Sequence, residues 1–193
     1  MSLPLPKPLL IDDTVTTPFL YPRSKSYPLT ESWDNGGVAL SDPSEDLLKY
    51  TWYAWTDGTT ITVKRDDLDT YHVVLMDSNI TEIDLTFDQN MRPCIAYVAN
   101  GISKLYWYDT QQAKQVIDEY PDIRNPRVSL DDKRRFNVAN SDIIFAYQKG
   151  DTLCYRVQRE RFSLERVLAT NSKRRILWRI GMGRNNRFLF YWR

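Results

Sequence analysis

A chain of 193 residues, 42% hydrophobic and 26% charged, is sized for one globular domain rather than two. It has no run of 18 uncharged apolar residues, and Met1-Ser2-Leu3-Pro4-Leu5-Pro6 lacks the basic and apolar regions of a signal peptide, so a soluble protein made in the cytoplasm, without membrane insertion, is expected. Two cysteines, Cys94 and Cys154, exclude a disulfide scaffold and form no metal-type pair; a single histidine, His72, removes the commonest general base and zinc ligand from most of the chain.

Residues 1–35 form the first segment. They hold six of the ten prolines (Pro4, Pro6, Pro8, Pro18, Pro22, Pro28) and no glycine. Proline fixes φ and keeps the preceding residue extended, so a polyproline-like arm is predicted rather than a helix or a central strand. The arm is too apolar for an ordinary linker: Leu5, Leu9, Leu10, Phe19 and Tyr21 are candidates for burial on a neighbouring subunit, or on the arm's own domain as a strap.

Residues 36–193 read as a single β-rich domain. Six Trp, twelve Tyr and seven Phe against seven Gly favour pleated, half-buried surfaces. Ile83, Leu85 and Phe87 alternate with polar neighbours, as do Leu153, Tyr155 and Val157, with the period of two of one-face-buried strands. Thr110 to Tyr120 is the best helix candidate, yet it lacks caps and reads equally as a turn followed by a strand ending at Pro121.

A repeat emerges when glycine turns are aligned. Tyr50–Asp67, Pro93–Thr110 and Asp142–Glu160 each place an aromatic after an alanine (Ala54-Trp55, Ala96-Tyr97, Ala146-Tyr147). A turn glycine follows (Gly58, Gly101, Gly150), then a second strand. A third strand follows each hairpin, from Tyr71, Lys114 and Ser163, and a shorter fourth copy starts at Ile176. Turn spacings of 43 and 49 residues suit propeller blades, with an antiparallel barrel or sandwich as the alternative. Three blades and a hairpin fall short of a full circle, which the N-terminal part or other subunits would complete, or which stays open.

Chemistry is sparse. There is no G-x-S-x-G and no phosphate-binding glycine loop; Gly181 and Gly183 run into Arg184-Asn185-Asn186, a hairpin turn, and His72 sits in the strand Y-H-V-V-L-M. Asp66, Asp67 and Asp69 in one turn, and Asp131 and Asp132 in another, could serve Ca²⁺ or a glycosidase pair, but adjacent turn acids are more simply solvated turn formers. No catalytic residue, cofactor or metal is therefore predicted. Charge is unevenly spread: residues 155–193 carry eleven basic and two acidic groups, the rest fifteen and twenty-three. Arg174, Arg175, Arg179, Arg184, Arg187 and Trp192 then read as a basic, aromatic face for an acidic partner, with nucleic acid a lesser option. Trp52, Trp55, Trp107 and Tyr108 are candidates for stacking on sugar rings, the alternative function being an oligomeric carbohydrate-binding module.

A proline-rich apolar arm, aromatic hairpins, no catalytic set and a chain ending F-L-F-Y-W-R together resemble, in style, structural proteins of tailed-bacteriophage virions, such as tail, collar or tail-tip components. The resemblance implies a non-enzymatic part of the virion. Its copies would form a symmetric oligomer and contact other virion proteins, with the arm of residues 1–35 holding the neighbouring subunit.

Overall fold

A computed structural model describes residues 8–10, 30–34, 52–65, 69–88, 92–130, 142–170, 176–182 and 188–192. These contain fifteen strands and no α-helix, every pairing antiparallel. The first sheet has the order β2 (Thr30–Asp34), β3 (Trp52–Thr56), β4 (Thr60–Arg65), β5 (Tyr71–Met76). The second follows with β6 (Ile80–Phe87), β7 (Pro93–Ala99), β8 (Ile102–Asp109) and β9 (Lys114–Tyr120). The third comprises β10 (Arg124–Leu130), β11 (Ile143–Lys149), β12 (Thr152–Val157) and β13 (Arg166–Ala169). The fourth joins the two ends of the chain, with β1 (Pro8–Leu10) paired to β15 (Phe188–Trp192), and β15 to β14 (Leu177–Met182).

The predicted hairpins are β3–β4, β7–β8 and β11–β12. At the second, Asn100 and Gly101 both take positive φ, 52° and 77°, as a two-residue turn matched to strand twist demands. Thr110 to Tyr120 resolves as a turn followed by β9, because Val116 packs inward and Tyr120 lies over the ring of Phe145. The fourth copy aligns one strand earlier than its glycine turn suggests. β14 lies beside β10 and β11 as β10 lies beside β6 and β7, so it is equivalent to the first strand of each sheet, and β1 takes the place of the third.

Packing explains the repeated Ala-aromatic pair. Three apolar cores lie between consecutive sheets. In the first, Ile61 and Val63 meet Ile83, Ile95 and Tyr97. In the second, Ala96, Leu105 and Trp107 meet Phe145, Tyr147 and Phe162. In the third, Ile144, Ala146 and Leu153 meet Leu177, Ile180 and Phe190. Ala54, Ala96 and Ala146 thus face the following sheet and let it approach, whereas Tyr97 and Tyr147 fill the gap to the preceding one. Burial on both faces also explains why the first five residues of β11, I-I-F-A-Y, form an unbroken apolar run rather than an alternating one. Consecutive sheets thus pack face to face, and the described strands close no barrel.

Polar bonds reinforce the same interfaces. The Asp84 carboxylate accepts the Val128 amide at 2.9 Å, tying β6 to β10. Gln148, fully buried, accepts the Leu177 amide at 2.9 Å and the Asn125 side-chain amide at 2.5 Å, tying β11 to β14. Gln148→Ala strips the acceptor from a buried N–H, a loss of about 1–3 kcal/mol. The expected result is faster hydrogen exchange at Leu177 and its hairpin than at β7 and β8.

Candidate interaction site

The outermost strand of each four-stranded sheet carries exposed apolar side chains. On β5 these are Tyr71, Val73 and Met76, the last 75% exposed; on β9 it is Ile117; on β13, Val167. Edge strands offer unpaired backbone groups to other chains, and charged side chains discourage such pairing. β9 carries Lys114, Asp118 and Glu119, and β13 is four residues long with Arg166, whereas β5, Y-H-V-V-L-M, has no Asp, Glu, Lys or Arg. His72 is exposed on that strand.

The fourth sheet is organised differently, since its edge comes from the opposite terminus. Pro8 stands opposite Tyr191, Leu9 opposite Phe190, and Leu10 opposite Leu189. Phe190 and Tyr191 are buried, so β15 is an apolar strand that β1 covers. Proline suits β1, which is an edge strand and begins at Pro8, because both positions spare it a ladder N–H.

Charged groups between the sheets are engaged in structure. Lys104 Nζ lies 2.9 Å from both Asp77 and Glu119, and Tyr97 donates its hydroxyl to Asp77 at 3.2 Å. Burial pushes the Asp77 carboxyl up, but Lys104, the Ser78 amide and Tyr97 outweigh it and hold it below the ordinary aspartate value. Glu165 follows the same pattern: burial raises it, while Tyr147, Lys149 and Arg156 bring it lower. Glu160 is held down by its ion pair with Arg166. Each carboxyl binds its proton more weakly folded than unfolded, so its contribution to stability is present above the ordinary carboxylate range, about pH 4, and is lost as pH falls through the folded values. The melting temperature is expected to fall between pH 5 and pH 2.5 and to be flat near neutrality; thermal unfolding across that range checks it.

The predicted residues divide sharply. Trp107 is 3% exposed; its indole N–H donates to Asp118 at 2.7 Å and its ring meets Phe162 edge-on, so it offers no open face to a sugar. The ring of Tyr108 is covered by the Arg92 guanidinium at 3.7 Å. Trp55 is half-buried, at the repeat position where Tyr97 and Tyr147 are core, with the exposed ring of Tyr71 6.4 Å away. Trp52 lies in β3, Arg179 in β14, Trp192 in β15, and Leu9 and Leu10 in β1. Leu5, Phe19 and Tyr21, together with Arg174, Arg175, Arg184 and Arg187, lie outside the described residues. So do Asp66, Asp67, Asp131 and Asp132. Asp69 sits 3.9 Å from Lys64. Among the described residues no group of three His, Cys, Asp or Glu could hold a metal ion, and no helix is long and apolar enough to cross a membrane.

Sequence reasoning missed the exposed edge of β5 and a pair of ties around the turn after β12, where Arg156 donates to the carbonyls of Phe162 and Ser163 and Arg161 pairs with the buried Asp109. The lack of charge in Y-H-V-V-L-M was a usable signal for the first; nothing local pointed to the second, because Asp109 and Arg161 are 52 residues apart. Comparison with protein families, with curated proteins and with solved structures found no match to this chain.

Proposed function

We propose that this protein is a non-enzymatic assembly component, present in several copies and held to neighbouring subunits through its N-terminal arm, in the manner of a tailed-phage virion protein. The observation that carries the reading is the pairing of Pro8–Leu10 with Phe188–Trp192: part of the arm is a strand whose docking site is the end of the chain. Exposed apolar side chains on all three outer strands supply further contact surface. Of the eleven basic groups of residues 155–193, Arg156, Arg159, Arg161 and Arg166 are paired with carboxylates of the chain itself.

The test is absolute mass in solution by light scattering for the full chain and for a chain starting at Thr30, which preserves β2. A discrete oligomer that loses mass without residues 1–29 is the expected result. Monomers in both samples favour the second reading, a carbohydrate-binding module, for which the half-buried Trp55 beside exposed Tyr71 is the suitable aromatic pair among the described residues. Its signature is a change in tryptophan fluorescence on titration with a glycan, abolished by Trp55→Ala.

A further inference from the structure

The C-terminal sheet is built from the two strands of one hairpin and a third strand supplied from the other end of the chain. β14 and β15 are contiguous with the third sheet through residues 171–175, whereas β1 reaches β15 only through β2, by way of residues 11–29. That connection is 19 residues long, about 60 Å when extended, against a radius of gyration of roughly 16 Å for a compact chain of this length. It can therefore place β1 on its own β15 or on that of an adjacent molecule.

Resting on the assembly reading above, we propose that β1 is an exchanged strand: Pro8–Leu10 of one copy completes the C-terminal sheet of a second copy, whose own β1 passes onward or back. Three observations support a second copy as the partner. First, β15, F-L-F-Y-W, has neither charge nor proline, and Phe190 is fully buried; without β1 it is an unprotected apolar edge. The sequence that fits that edge in the observed register is the protein's own, so every copy that lacks a cover carries one to give.

Second, exchange leaves the bonding unchanged. The pairs Pro8–Tyr191, Leu9–Phe190 and Leu10–Leu189 are the same within a chain or between chains. The balance is then set by the connection, for which a flexible linker gives an effective concentration on the order of millimolar. Pro18, Pro22 and Pro28 lie within this connection and restrict its φ angles, which narrows the set of paths that return to the same molecule. Third, Pro4, Pro6 and Pro8 alternate, so an extended arm lacks N–H donors along one edge. Such an arm pairs on one side and blocks addition on the other. It ends a sheet, and strand addition does not run on to open fibres.

The experiment uses the full chain carrying either Leu10→Cys or Leu189→Cys, two residues that stand directly opposite in the register. The two variants are co-expressed with different tags and oxidised. A disulfide-linked heterodimer, absent from a Leu10→Cys and Met76→Cys control pair, is the expected result. A product linked only within single chains, made from the doubly substituted protein, overturns the exchange. A second full-length variant, Leu9→Pro, reads the same contact without cysteines. Its solution mass is expected to fall to that of a monomer with the β-sheet circular dichroism retained; undiminished mass overturns the exchange. If the unmodified protein is an oligomer and no link forms between chains, the exchange fails and assembly stands. If the unmodified protein is a monomer at all concentrations, both fail.

Discussion

Phe145→Ala is expected to cost about 3–5 kcal/mol, enough to unfold much of the population of a domain of ordinary stability. The ring is fully buried and lies 5.0 Å from Tyr147, 5.2 Å from Tyr120 and 6.2 Å from Phe162. Those partners come from β11, β9 and the turn after β12, so the second and third sheets both lose contacts and the surviving backbone prevents collapse into the cavity. Chemical denaturation of the variant measures the loss. Phe145→Leu retains most of the apolar volume and is expected to recover more than half of it; equal losses for both substitutions would show that volume is not what the ring supplies.

Arg156→Met is expected to be the second most damaging change, at about 2–4 kcal/mol, although it keeps an apolar stem of similar reach. The guanidinium donates to the Tyr147 hydroxyl at 2.7 Å and to the carbonyls of Phe162 and Ser163 at 2.8 and 3.2 Å, with Glu165 3.4 Å away. It also lies over the rings of Tyr120 and Tyr147. Two consecutive non-glycine residues of the adjoining turn, Arg161 and Phe162, have φ of 53° and 52°. The left-handed conformation costs roughly 1–2 kcal/mol per residue, so something must hold the turn there. Arg156 holds its carbonyls, Arg161 pairs with the buried Asp109 of the second sheet, and Phe162 then enters the core against Trp107. Removing the guanidinium releases the turn and withdraws Phe162. Arg156→Lys keeps the charge but lacks the planar fork, and is expected to retain less than half of the stabilisation. Guanidinium-chloride midpoints of the three proteins, with the exposure of Trp107 followed by fluorescence, check both the size and the route of the effect.

Both residues show where reading along the chain reaches its limit. Phe145 follows an apolar pair and precedes Ala146, so its place in a strand was legible from the run D-I-I-F-A-Y-Q alone. Its weight was not, because that depends on rings contributed from residues 120 and 162. Arg156 reads as one more basic residue of the C-terminal segment; only the fold reveals it as an internal tie rather than part of an exposed cationic face. Trp107 and Tyr108 make the same point for the proposed sugar platform. Alternation places them on a strand, but whether a ring meets a ligand or a neighbouring sheet is decided by what lies across from it.

The local pattern of this sequence determined the strands of the three glycine hairpins and the antiparallel class, because period-two burial and turn geometry act over a few residues; it did not show that Thr30–Asp34, inside the proline-rich segment, is the first strand of the first sheet. It also determined that an alanine and an aromatic recur at one position in each unit. Tertiary structure decided that this alanine faces the next sheet and the aromatic the previous one, that β14 is the first rather than the second strand of its sheet, and that β1 completes the sheet at the far end of the chain. Those are relations between segments separated by tens to more than a hundred residues. Their free energy comes from surfaces and backbone groups that no local window brings together.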